Sequence, residues 1–224
     1  MPFYHRLGEI PQKRHTQYRK PDGSLYAEEL ISTEGFSNIL SLVYHCHPPT
    51  LVKDIEDPID KRPKYVVENN LRHRSFLTFN TKPTADYVES RVVLMGNRDL
   101  LVTAAAPTAS MTDYYFKNTD SDEVIFVHEG SGTLKTIYGQ IKFGYGDYLV
   151  IPRGTIYQLM FDDSNNRLFI TESFTPVYPP KRYVNKFGQF LEHSPYCERD
   201  IRLPKNLETH DEKGSFKVMT KKSG

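Results

Sequence analysis

Residues 122 to 163, DEVIFVHEGSGTLKTIYGQIKFGYGDYLVIPRGTIYQLMFDD, constrain this chain more than any other stretch. β-Branched and aromatic runs are cut at short, nearly even intervals by residues that cannot continue a strand. Glu123 to His128 is broken by Glu129-Gly-Ser-Gly132, and Thr133 to Ile137 turns at Tyr138-Gly139 into Gln140 to Phe143. Gly144-Tyr-Gly146 precedes the short apolar run Asp147 to Ile151, and Pro152-Arg-Gly154 precedes the alternating run Ile156 to Phe161. Runs this short, with a turn residue at each break, predict an antiparallel sandwich or barrel. The glycines stand where the backbone must reverse with positive φ, and Pro152 presets the turn before the next strand.

The spacing of those turn residues is more specific than their composition. Glu123 and Gly130 fit E-x6-G, and Gly146, Pro152 and Gly154 fit G-x5-P-x-G. These are the turns of the two cupin motifs, so the stretch resembles a cupin double-stranded β-helix. A cupin that holds a metal carries an H-x-H pair just before the Glu and a third His three residues after the second-motif Gly. Here the first place, Phe116 to Thr119, reads Phe-Lys-Asn-Thr, and the second is Tyr157. Glu123 alone cannot hold Fe(II) or Zn(II), which need about three converging N or O ligands. His128 lies within a strand, with no second His at period-2 spacing beside it. The expectation is an all-β jelly roll without the metal of its class.

Composition narrows the partners. Lys plus Arg (29) and Asp plus Glu (28) nearly cancel, which leaves no basic excess to suggest nucleic acid. Fifteen Tyr, thirteen Phe and no Trp suit an aromatic-rich β protein. No apolar run approaches the roughly 20 residues of a membrane span, and no apolar N-terminal segment reads as a signal peptide. Cys46 and Cys197 lack C-x-x-C spacing, so a reduced, cytoplasmic protein is expected.

Along the chain, residues 1 to 35 are polar and broken by Pro11, Pro21 and Gly23, with Pro21-Asp22-Gly23 as a turn. Their basic residues Lys13, Arg14, His15, Arg19 and Lys20 read as an arm wrapping its own domain or a neighbour. The apolar run Phe36 to Tyr44 leads into His45-Cys46-His47. That H-x-H spacing would put both rings on one face of a strand, but Pro48-Pro49 breaks the strand and no Glu follows at cupin spacing. A packed or solvent-facing pair is expected. Leu51 to Tyr65 is a charged surface connection. Ser75 to Asn80, Ser90 to Gly96, Asp99 to Ala106, Thr112 to Phe116 and Arg167 to Phe174 read as further strands, about ten in all. After Pro176 the chain is irregular; Glu192 and His193 are adjacent acid and base, but neighbours in an extended chain point apart. The domain reading is an arm with first strands over 1–50, a cupin-like barrel over 51–176, and an irregular segment over 177–224. Ser215 to Met219 begins a fresh strand, and the stop after Gly224 is expected to be a cut.

Four stretches carry a closer resemblance: Arg6-Leu-Gly-Glu-Ile-Pro11 with Lys13 to Gln17; Arg19 to Leu30 running into Ser32 to Phe36; Asp122 to Phe161; and Ser194 to Pro204. Together they resemble the bacterial branch of the homogentisate 1,2-dioxygenases. The resemblance implies the metal-free N-terminal barrel of a bicupin, with Fe(II) held by two His and one Glu in a C-terminal barrel downstream of Gly224. It implies ring opening of homogentisate with O2 to maleylacetoacetate, in tyrosine and phenylalanine breakdown, by trimers that pair into hexamers. It carries no catalytic, cofactor or metal residue onto any position of this chain, which by itself is expected to be inactive. Two alternatives stay open: a non-enzymatic, metal-free cupin that binds a small molecule or protein, and a metal enzyme using His45 and His47.

Overall fold

The alternation is realised as two five-stranded sheets laid face to face. A computed structural model describes residues 12, 16–49, 51–66 and 72–222. One sheet runs β3 (Val92–Gly96), β4 (Leu100–Ala105), β11 (Arg167–Ser173), β6 (Asp122–Glu129), β9 (Tyr148–Ile151). The other runs β12 (Val218–Lys221), β5 (Tyr115–Asn118), β10 (Ile156–Phe161), β7 (Gly132–Thr136), β8 (Gly139–Phe143). All pairings are antiparallel except β12 on β5. This is the cupin jelly roll that the turn spacing implies.

Period 2 decides what is inside. On β6, Glu123, Ile125 and Val127 point inward; on β11, Leu168, Ile170 and Glu172 do. They meet Tyr157 and Leu159 of β10, Phe116 of β5 and Leu134 of β7 in one core. The turns behave as their residues require. Gly130 has φ 98° and Gly154 φ 84°, in the region a Cβ disfavours. The second-motif turn is tied to the first motif by Asp122, which accepts from the Arg153 and Val177 amides at 2.8 Å each, while Gly154 N–H donates to Asn118 O.

The two outer faces differ. Across the β3 sheet, one row reads Val92, Ala104, Phe169, Phe126, Tyr148, and the next Met95, Val102, Thr171, Val124, Val150. Tyr148 is 68% exposed and Val150 53%. On the other sheet the row Gln158, Lys135, Gln140 is polar and the next reads Met160, Thr133, Lys142, so that face is the more polar of the two. An apolar face of this extent on one side only is the pattern of a covered surface.

Several expectations need correction. Ser75–Asn80 is not a strand: it is irregular and closes in a 3-10 turn at Thr78–Asn80, with Asn80 N–H donating to Leu77 O. Its apolar residues Phe76, Leu77 and Phe79 do not alternate, so a strand there would have no single face to bury. The strand expected at Thr112–Phe116 is Tyr115–Asn118, because Tyr114 is drawn aside by a 2.6 Å hydrogen bond from its hydroxyl to Asp86. Within the expected arm, Ala27–Glu34 is a strand, β1, that pairs with β2 (Ser37–His45) around Gly35. The turn at Pro21-Asp22-Gly23 is present, Gly23 N–H donating to Lys20 O. Arg6 to Pro11 and Lys13, Arg14 and His15 lie outside the described residues. Beyond Pro176 the chain crosses the surface with few regular elements and then returns as β12, an edge strand of the barrel itself.

Two glycine variants separate backbone strain from collision. A Cβ at Gly154 meets nothing within 4 Å, whereas at Gly130 it falls 2.1 Å from Asn166 Oδ1. Gly154→Ala should cost about 1–2 kcal/mol through φ alone, and Gly130→Ala should cost more. Urea midpoints measure both; equal midpoints for Gly154→Ala and the parent would show that the turn tolerates a side chain.

Candidate functional site

The positions that a metal-holding cupin fills with ligands come together inside this barrel and hold other chemistry. Phe116 and Asn118 alternate inward on β5, Glu123 lies at the start of β6, and Tyr157 sits on β10 opposite Phe116. All four are buried. At their centre is Arg91, which enters from the loop before β3. Its guanidinium stands 5.3 Å from the Tyr87 ring centroid and 5.7 Å from that of Phe116. Its two terminal nitrogens reach two carboxylates. Nη2 donates to Glu172 Oε1 at 2.6 Å, and Nη1 is 2.9 Å from Glu123 Oε1, an ion pair whose N–H is not aimed at the oxygen.

The strands themselves force the two acids together. Glu123 and Glu172 are register partners on β6 and β11, both inward. Like charges directly opposite, with Cβ atoms about 4.5–5.5 Å apart, repel. Both carboxylates are met by Arg91 and by hydroxyl, amide or ammonium donors, although Glu123 Oε1 has the ion pair alone and accepts no hydrogen bond. Glu172 Oε2 accepts from Asn118 Nδ2 at 3.0 Å, Ser121 Oγ at 3.2 Å and Lys221 Nζ at 2.5 Å. Glu123 Oε2 accepts the Tyr157 hydroxyl at 2.7 Å, and the Tyr87 hydroxyl lies 3.4 Å from that of Tyr157. Two buried anions thus face two cations, Arg91 and Lys221.

The protonation states follow. Burial pushes Glu172 up, but Arg91, Lys221 and the Lys221 and Asn118 hydrogen bonds outweigh it and hold the carboxyl below its ordinary value of 4.5. Burial also opposes the charge on Arg91, yet Tyr87, Glu123 and Glu172 keep it firmly protonated. Burial and the Glu123 carboxylate push the Tyr157 phenol well up, so it remains a donor.

Fe(II) does not fit these residues. There is no imidazole, both carboxylates are committed to Arg91, and a guanidinium at the centre repels a second cation. Among the described residues, no three His, Cys, Asp or Glu side chains gather as a metal cluster. His45 and His47 do not converge either: His45 Nε2 pairs with Glu29 at 3.0 Å, His47 Nε2 with Asp211 at 2.5 Å. Cys46 is exposed and neither cysteine is in a disulfide. Glu192 and His193 are both exposed. His128 faces outward among Phe79, Phe126 and Tyr145. A surface cavity of about 590 Å³ is lined by Arg62, Tyr65, Arg153 and Phe174 among others, and by no member of the Arg91 network. The residues that sequence reasoning missed are Arg91, Glu172 and Lys221. Glu172 had a signal, since it continues the inward parity of Leu168 and Ile170.

The family described as homogentisate 1,2-dioxygenase N-terminal matches residues 7–184. A protein of Saccharolobus solfataricus, provisionally named a dioxygenase, is 38% identical over 221 residues, 99% of this chain and 56% of its own length. The homogentisate 1,2-dioxygenase of Dictyostelium discoideum is 27% identical over 182 residues, 75% of this chain and 41% of its own length. This chain therefore spans about half the length of these relatives. Among solved structures, a cupin-2 domain protein of Shewanella frigidimarina shares 23% identity over 38% of this chain and 79% of its own, with a TM-score of 0.33.

Removing Arg91 tests the charge balance. Arg91→Leu leaves the opposed carboxylates without their bridging cation and should cost about 3–5 kcal/mol at neutral pH. In the parent, the lowered Glu172 value means that its contribution is complete above 4.5 and is lost as pH falls through the folded-state value. In Arg91→Leu, burial without that cation favours the protonated form of Glu172, so the deficit should shrink as pH falls. Urea unfolding at pH 7 and pH 5 reads this, and a deficit that stays constant or grows toward acid would refute the assignment.

Proposed function

This chain belongs to the homogentisate 1,2-dioxygenase N-terminal family, and from that premise we propose that it is the structural barrel of a ring-cleaving dioxygenase. The complete protein opens the ring of homogentisate with O2 to give maleylacetoacetate, in tyrosine and phenylalanine breakdown. Non-haem Fe(II), held by residues outside this chain, supplies the oxygen chemistry there. The observation that carries the reading is the Arg91 network: the interior that would hold a metal is filled by an arginine and its two carboxylates. Such an interior has no open coordination position and no acid or base free to act on a substrate. What this barrel contributes is a folded body with one outer face more apolar than the other.

The apolar rows across β3, β4, β11, β6 and β9 support assembly into a larger unit, a homo-trimer or hexamer in this reading. A reducing, cytoplasmic setting is supported by two unpaired cysteines. No helix among the described residues is long and apolar enough to cross a membrane.

The test compares residues 1–224 with the product of the whole reading frame that contains them. After anaerobic loading with Fe(II), the 224-residue chain should carry no stoichiometric iron and consume no O2 with homogentisate above background. The whole product should bind iron, take up O2 and yield the absorbance of maleylacetoacetate. Ring cleavage by residues 1–224 alone would sink the proposal, because it would place the iron among residues described here as structural.

A further inference from the structure

The charge balance of the barrel interior is completed from outside the motif-bearing strands. Arg91 serves both carboxylates, and the second cation, Lys221, arrives on a strand that follows more than forty residues of largely irregular chain after β11. Strand β12 is short, and its inward positions are Met219 and Lys221. Met219 packs on the core; Lys221 passes its ammonium to Glu172. The strand lies parallel on β5, which has only two residues in register with β10 on its other side. The amides of Tyr115 and Thr119 donate to the carbonyls of Lys217 and Lys221, and the Thr119 hydroxyl donates to Lys221 O as well. Asn118, between those residues, is another donor to Glu172. The seat of β12, the order of β5 and the solvation of Glu172 are thus one coupled unit at the edge of the barrel.

We propose that β12 is a closing latch with Lys221 as its key: the strand opens from β5 as a unit while the rest of the barrel stays folded, and the Lys221–Glu172 contact sets how often it does so. The edge chemistry favours such an opening. Four residues of parallel pairing with one apolar anchor form a small cooperative unit. The charge-assisted hydrogen bond into the interior is its strongest single contact. Arg91 remains on Glu172 when the latch lifts, so the interior is never left with two wholly unpaired anions. When the latch lifts, β5 is left with an open edge, which is the chemistry that pairs with an extended strand.

Native-state hydrogen exchange on the parent chain is the first measurement. The amides of Tyr115, Thr119 and β12 should exchange through an opening that costs less than global unfolding, while those of Ile125 and Ile170 exchange only globally. In Lys221→Met the first group should exchange roughly ten- to a hundredfold faster, with the second group moving much less. Lys221→Arg should restore most of the protection. Glu172→Gln and Lys221→Met together should speed exchange at β12 less than the product of the two single effects. Exchange of β12 only through global unfolding in the parent would overturn the latch. Unchanged protection at β12 in Lys221→Met, or an equal loss at β6 and β11, would overturn the role of the lysine.

Discussion

Two carboxylates facing each other across adjacent strands, inside a barrel, is the constraint on which the rest of this structure depends. Neither strand can relieve it. The inward parity of β6 is fixed by Ile125 and Val127, that of β11 by Leu168 and Ile170, and a one-residue slip of either would expose its whole apolar set. The acids are therefore held opposite each other by the same packing that makes the core. Water cannot screen them, since Glu123 is 1% exposed and Glu172 2%. The repulsion is met by a planar cation that reaches both at once. A guanidinium suits this better than an ammonium because its fork spans two acceptors and its face stacks on Tyr87 and Phe116.

That arrangement explains why the barrel keeps the shape of a metal-binding fold while its interior offers a metal nothing to bind. Where an ion would draw its ligands inward, Arg91 performs the same electrostatic task from the centre of the same residues. Phe116 supplies an aromatic face, Tyr157 a hydroxyl donor and Asn118 an amide donor. Each is a group suited to a carboxylate or a guanidinium, and none is a good ligand for a transition metal.

Much of this was legible in the sequence, and the remainder was hidden for definite reasons. The turns were legible because Gly130, Gly146 and Gly154 answer a backbone need that few other residues meet. The strands on either side followed from parity. Ser75–Asn80 misled because an apolar run without alternation does not report a period, and its three apolar side chains remain on the surface. Ala27–Glu34 was obscured by Glu28, Glu29 and Ser32, which suit an exposed hairpin as well as an arm. In the site, the missing histidines could be read directly, and Glu123 was marked by its motif. Arg91 could not be found that way. It stands just before β3, within what reads in the sequence as a strand over Ser90 to Gly96, and a lone arginine carries no periodicity to say that it points inward. Lys221 was hidden further, because its partner is 49 residues away and its strand pairs in parallel with β5.

The position of Lys221 ties the barrel interior to the chain that crosses its surface. Electrostatic order inside this barrel depends on a strand reached through a long surface crossing, anchored on the way by Arg202 to Asp147 and the Lys142 carbonyl, and by Lys217 to Glu56. Any force on that crossing acts on β12, then through β5 on Asn118, and so on Glu172. The outer contacts are exposed ion pairs of small individual worth, whereas the last one ends in a buried carboxylate. The tether is thus weak along its length and strong at its tip.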